Sequence, residues 1–271
     1  MNKLKDHLLL ILLLLAYLAT QSQCIDTNKA FREGEQLKYQ MSYQWGFIWM
    51  RAGEVYFKVD RGMYQNRDAY HFTATGGSLK KIDWLFKVRE HLESRAAVPD
   101  LKPMFFVRNS REMGFLKYNS ILFDDKTNEI YTKVSTSKNL SNMDTLQKLP
   151  CTYDVITAAY VLRNLDYDNL KPGDSLQVHT ILDNRTYNFL VKYSGRETAR
   201  DASDKEYNCI KLSAILEEGT LFKSGESLTI WVTDDENKLP VKAEAEILIG
   251  KVNAFLVSAK NLKHPEKAKI Q

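Results

Sequence analysis

Metal chemistry needs imidazoles, thiolates or carboxylates at spacings that converge on one point. Beyond the N-terminal leader the histidines are His71, His91, His179 and His264, and no two stand at the i, i+2 or i, i+4 spacing of a preformed site. Cys24, Cys151 and Cys209 contain no C-x-x-C, so neither a thioredoxin-like motif nor a zinc knuckle is available. Ser78 to Lys81 and Ser135 to Lys138 fit the Ser-x-x-Lys string of a serine nucleophile beside a lysine. Both fall in turn or loop sequence, and neither has the S-D-N and K-T-G companions of such a site. No G-x-S-x-G, G-x-x-x-x-G-K-[ST] or G-x-G-x-x-G occurs, which leaves nucleophile-elbow, P-loop and dinucleotide chemistry without support. The carboxylates Asp234, Asp235 and Glu236, and Glu217 with Glu218, cluster between strand-like runs; a glycosidase pair must face across a cleft, which spacing along one chain does not supply. These residues point to a protein that is not an enzyme and holds no metal or cofactor.

What remains is aromatic surface. Tyr39, Tyr43, Trp45, Phe47 and Trp49 fall within eleven residues. Rings favour strands and bury large areas, so one reading makes them core. The other makes them walls of a concavity, apolar with a few polar tips, as in lipid and small-ligand sites. The candidate lining is Tyr39, Tyr43, Trp45 and Phe72, with Tyr160 and Arg163 from a helix. The Arg163 guanidinium would hold a carboxylate or phosphate headgroup; pairing with a nearby aspartate, or complementing the helix C-terminus, is its alternative role.

The elements that must position these groups are strands. Leu37, Tyr39, Met41, Tyr43 and Trp45 alternate with Gln36, Lys38, Gln40, Ser42 and Gln44, and after Gly46 a second run places Gly53, Val55, Phe57 and Val59 on one side. Period two of this kind marks strands with one buried face, and the two runs predict an antiparallel hairpin. Further runs follow at Tyr70 to Thr75, Val88 to Arg95, Met104 to Val107, Phe115 to Phe123, Ile130 to Val134, Tyr187 to Tyr193, Ile210 to Leu216, Leu228 to Val232, Val241 to Ile249 and Val252 to Val257. Residues 79–86 carry apolar side chains at helical spacing, which predicts a short helix, and 135–144 reads as a long polar loop. One longer helix is predicted over 152–164, with Thr152 as N-cap and Ile156, Ala159, Tyr160 and Arg163 on one face. Strands and helices do not alternate, so the class is mainly antiparallel β.

Lys3 and Lys5 precede a twelve-residue apolar run, Leu8 to Ala19, and a polar stretch with small residues. That run is short of the ~20 residues needed to span a bilayer and reads as a cleaved signal peptide over 1–22. Cleavage reduces the formal charge of the 271-residue chain from +4 to +3, too little for a nucleic-acid binder. No integral membrane segment is expected after cleavage. Gln23 precedes Cys24 where a lipobox needs Gly, Ala or Ser, so a lipid anchor is not expected. In an oxidising compartment a bridge between Cys151 and Cys209 is available, the alternative being two buried, inert thiols. No linker divides the chain. A leader segment at 23–33 would precede one domain over 34–262, and 263–271 would form a frayed polar tail.

With these landmarks in order, the chain resembles the exported bacterial domain-of-unknown-function family 3108. The resemblance rests on Phe31, Gly34, Glu35, Leu37 and Tyr39 at the opening, Gly53 in the second strand, and Tyr153 to Arg163 as a central helix ending in Tyr-x-x-Arg. Gly173 with Asp174, Trp231, Leu239 with Pro240, and Gly250 follow in the family's order. Cys151 and Thr152 stand where that family would carry Asp and Pro. The resemblance implies one strongly curved antiparallel sheet, rolled into an open or spiral barrel-like form similar to the half-barrels of periplasmic lipoprotein carriers. It implies no reaction and no catalytic residues. The expectation is a periplasmic or envelope protein holding a lipid-like or apolar small molecule in its concave face. The alternative is a structural or protein-interaction module with a filled core.

Overall fold

The computed structural model describes residues 24–139, 141–216, 227–247 and 250–270. The expected signal peptide, 1–22, and the Glu217–Glu218 turn lie outside these residues. The strands in chain order are β1 (Gln36–Trp45), β2 (Ile48–Tyr64), β3 (Arg67–Ser78), β4 (Val88–Ala97), β5 (Pro103–Glu112), β6 (Phe115–Asp124), β7 (Glu129–Thr136) and β8 (Asn142–Gln147). They continue with β9 (Thr152–Asp154), β10 (Ser175–Leu182), β11 (Arg185–Arg200), β12 (Glu206–Leu216), β13 (Ser227–Thr233), β14 (Pro240–Glu246) and β15 (Lys251–Lys260). One α-helix, α1 (Val155–Leu162), lies between β9 and β10.

The fifteen strands of the described residues form one sheet in the order β8-β7-β6-β5-β4-β3-β2-β1-β15-β14-β13-β12-β11-β10-β9. The expected alternation holds through it: Leu37 and Tyr39 pair with Phe57 and Val55, and all neighbours are antiparallel except β9 with β10. Strands from both ends of the chain, β1 and β15, pair in the middle of the ribbon. The ribbon curls until its two arms meet: β9 packs near β5, and Lys117 of β6 pairs with Asp183 of the β10–β11 turn at 2.5 Å. Register shifts in five of the pairings, at Lys38/Tyr39, Met41/Ser42, Arg95/Ala96, Tyr193/Gly195 and Trp231/Val232, mark bulges or irregularities of the kind that add local twist. Gly53 allows β2 and β3 to close up, since a Cβ there would stand 2.5 Å from the Gly77 carbonyl oxygen. No helix among the described residues is long and apolar enough to cross a membrane.

Several boundaries differ from the sequence reading. The helix is Val155–Leu162, not 152–164, because Thr152 belongs to β9 and Asp154 caps. Residues 79–86 contain only a 3-10 turn at Lys80–Ile82; Leu85 and Phe86 are exposed, and Leu79 and Ile82 are only half-buried, so the helical spacing serves no core. The polar stretch 135–144 is interrupted by β8, an edge strand exposed along most of its length, where hydrophobic patterning carries no signal. β10 gave no run in the sequence. Residues 24–33 are not a detached leader: Ala30 and Phe31 are buried, and Asn164 Oδ1 accepts from both Lys29 N and Ala30 N. The C-terminal stretch is docked rather than frayed, with Ala268 buried and Lys269 bridging to Tyr207 of β12.

Candidate functional site

The concave face is organised by the entry to α1. Asp154 is fully buried and accepts from Ile156 N and Thr157 N at 3.0 Å, from Thr157 Oγ1 at 2.7 Å and from Ser94 Oγ of β4 at 2.8 Å. Burial raises its pKa, and the four donors pull the other way. The cap therefore fixes both the start of the helix and its position over the sheet. Behind it Cys151 is bonded to Cys24, 127 positions away in sequence, with 5.1 Å between their Cα atoms. This replaces the Cys151–Cys209 bridge that the sequence left open, and Cys209 is free. Cys151 belongs to the main core, whereas Cys209 packs in a separate cluster with Ala199, Tyr207, Trp231 and Val241, where burial pushes its thiol up to about 12.

From the helix, Tyr160 reaches the sheet and stacks on Phe72 of β3 at 4.3 Å between centroids. Phe31 packs edge-on against both rings, at 4.7 Å from Tyr160 and 5.6 Å from Phe72. Arg163, one turn later, closes the end of this stack. Its Nη1 and Nη2 donate to Glu35 Oε1 and Oε2 at 2.6 and 2.9 Å, and its Nε donates to the Asn237 carbonyl at 3.1 Å. Both side chains are excluded from water. Burial works to lower the Arg163 pKa, but the Glu35 carboxylate more than offsets it and holds the guanidinium charged. The cation also lies over the Phe31 and Tyr160 rings at 5.6 and 5.4 Å. Among the described residues the Tyr160 hydroxyl has no hydrogen-bond partner, and burial raises its pKa well above the ordinary phenol value.

The six candidate lining residues are thus not one open wall. Phe72, Tyr160 and Arg163 touch one another inside the core. Tyr39 lies in a neighbouring cluster with Leu37, Leu239 and Leu256, its hydroxyl donating to the Pro240 carbonyl at 3.0 Å. Tyr43 is half-buried further along β1, and Trp45, at the β1–β2 turn, is 58% exposed. Arg163 takes the internal partner that would otherwise compete with any headgroup, and that partner is Glu35 rather than an aspartate.

Towards the end where β1 turns into β2, the interior walls are charged. Glu90 of β4 takes a bidentate pair from Arg108 of β5, at 2.9 and 3.0 Å, and a hydrogen bond from Ser110. Strand alternation puts Glu90 on the face of Ser94, and Arg108 and Ser110 on the face of Phe106. Two shallow grooves, of about 400 and 620 Å³, lie on the sheet, the first among Lys38, Tyr56, Phe57 and Lys58, the second among Arg89, Glu90, Ser110 and Tyr118. Neither contains a candidate lining residue. Ser78, of the first Ser-x-x-Lys string, is held by Asp83 at 2.6 Å and by Arg89; Lys138, of the second, lies over the Phe115 ring.

Glu35, Asp154, Phe31 and the Cys24 bridge were not identified as site residues from sequence. Glu35 and Phe31 stand among the opening landmarks, yet the pairing with Arg163 spans 128 residues and leaves no local pattern. Asp154 lies two positions beyond Thr152, the predicted cap, and so falls inside the predicted helix rather than at its start.

The family model described as "Protein of unknown function (DUF3108)" matches residues 38–257. No curated protein matches the chain. Among solved structures, the fold is similar to a β-barrel-like protein of domain of unknown function DUF1849 from Brucella abortus, with a TM-score of 0.54 and 11% identity, covering 86% of this chain and 99% of that one. A protein from Parabacteroides distasonis described as a "putative lipoprotein" aligns with a TM-score of 0.33 and 10% identity, over 88% of this chain and 100% of that one.

Proposed function

The chain belongs to the DUF3108 family of proteins of unknown function, and from that premise we propose a non-enzymatic, exported envelope protein that acts through its surface, as an interaction module built on a packed interior. The observation that carries this reading is the occupancy of the concave face. The Phe72–Tyr160 stack, Phe31 and the Glu35–Arg163 pair fill the space beside α1. A lipid-like molecule bound there would have to displace Phe31 and strip Arg163 of its counter-ion, leaving a buried charge unpaired. Export is supported by the Cys24–Cys151 bridge, a bond that oxidising compartments maintain. A Cys24 sulfur held in that bridge is also unavailable for thioether lipidation.

Native mass spectrometry of the protein purified from the exported fraction of its own host tests the reading. The expected result is the mass of the bare chain. A lipid-sized adduct retained by the native protein, and lost on denaturation, would overturn it in favour of a carrier that uses Tyr39, Tyr43, Trp45, Phe72, Tyr160 and Arg163.

A further inference from the structure

Among the described residues, most of the large apolar side chains left in solvent stand at one end of the molecule. The antiparallel register puts the β1–β2, β3–β4 and β5–β6 connections at the same edge of the sheet. There Trp45, Phe47 and Trp49 are exposed at or beside the first, Trp84 and Phe86 in the second and Met113 in the third; Phe47 is completely exposed and Trp84 is 80% exposed. At the opposite edge only Met63, Tyr131 and Ile270 are comparable among the described residues. The three connections are neighbours. Leu79 N donates to the Ala52 carbonyl at 2.9 Å and Met113 N to the Lys87 carbonyl at 2.8 Å. With strands about 4.8 Å apart, the six strands they join give an arc of about 25 Å.

The charges along this arc are unbalanced. Its carboxylates are already matched: Glu54 by Arg51 and Lys38, Asp83 by Arg89, and Glu90 and Glu112 by Arg108. Lys80, Lys81, Lys87 and Arg111 are exposed and make no ion pair among the described residues. Protruding tips of indole and phenyl rings, interleaved with unneutralised cations, fit the headgroup layer of a bilayer. Indoles settle at that depth, and lysine and arginine meet phosphates. Three separate tips suit insertion between headgroups better than the continuous ~800 Å² per side of a stable protein interface.

We propose that this edge docks the protein onto a lipid bilayer whose headgroups include anionic phosphates, with the aromatic tips inserted to headgroup depth. This rests on the reading that the protein acts through its surface, and names the partner of that surface.

Flotation with phosphatidylcholine vesicles, with and without phosphatidylglycerol, tests it on the processed chain. Three of the four tryptophans, Trp45, Trp49 and Trp84, lie on the arc while Trp231 is buried, so intrinsic fluorescence reports the same event. The expected result is flotation with a blue shift, strongest on phosphatidylglycerol vesicles and weakened by salt. Phe47→Asp and Trp84→Asp should each weaken binding about tenfold or more, the factor for roughly one buried aromatic ring. Lys80→Glu with Lys81→Glu should remove the preference for anionic vesicles. Met63→Asp, at the other edge, should change nothing, and the unfolding midpoints of these exposed-site variants should match the parent. Absence of flotation on either vesicle, or flotation undiminished in the Phe47 and Trp84 variants, would overturn the proposal. So would a dimer abolished by Phe47→Asp, which would assign the edge to a second copy of the chain. A lipid found inside a protein that still floats through this edge would defeat the packed-interior reading alone. An empty protein that does not float would defeat the docking inference alone.

Discussion

Arg163 and Glu35 are the residues on which the interior depends most sharply. Each is buried, and each satisfies the other through two charge-assisted hydrogen bonds. Removing one partner strands a charge in the core, so Glu35→Gln and Arg163→Met should each destabilise the protein by roughly 3–5 kcal/mol. The double variant Glu35→Leu with Arg163→Met should cost less than the sum, and a double-mutant cycle by chemical denaturation would show it. Additive losses would mean the two side chains do not pair. Tyr160 offers the opposite sign. Its hydroxyl lacks a partner among the described residues, so Tyr160→Phe should be neutral or stabilising by up to about 1 kcal/mol in the same assay. Arg163 was recognisable from sequence as a cation on the inward face of a helix. Its partner was not, because alternation and spacing report which way a side chain faces and say nothing of what meets it across 128 residues.

At the scale of elements, α1 is only eight residues long, too short to be stable without its cap and its packing. Asp154→Ala removes the acceptor of four hydrogen bonds and should cost about 2–4 kcal/mol, with Asp154→Asn milder because its carbonyl still caps the helix. Equal losses for the two would place the stabilisation in the carboxylate charge rather than in the cap. On the sheet, Gly53→Ala should lower the unfolding midpoint, since its Cβ meets the Gly77 carbonyl and backbone must move. The strands that pack one face on the core were legible because burial imposes period two on them: Leu37, Tyr39, Val55 and Phe57 alternate in sequence and cluster in space. β8 was not legible, because an exposed edge strand has no face to bury. The segment 79–86 misled for a related reason, since its apolar residues are spaced for a helix but none of them is buried.

For the whole molecule, the open ribbon is held rolled by contacts between segments far apart in the chain. The Cys24–Cys151 bridge ties the first described residue to the entrance of α1. A closed loop of this length should contribute on the order of 4–5 kcal/mol in the chain-entropy account, so Cys24→Ser and Cys151→Ser should each lower stability by about that much and to the same extent. Cys209→Ser, outside any bridge, should leave the loss of stability caused by a reductant the same as in the parent, as chemical denaturation with and without reductant would show. The rolled form itself followed from the resemblance of ordered landmarks, whereas the packing of Phe31, Phe72 and Tyr160 against one another did not, because aromatic residues on strands suit either a core or a ligand wall. Proton NMR of the exported protein purified from its own host decides between them most directly, through nuclear Overhauser contacts of the Phe72 and Tyr160 rings. The account predicts contacts from these rings to each other and to Phe31, with no lipid resonances among them; acyl-chain resonances in contact with Phe72 or Tyr160 would contradict it.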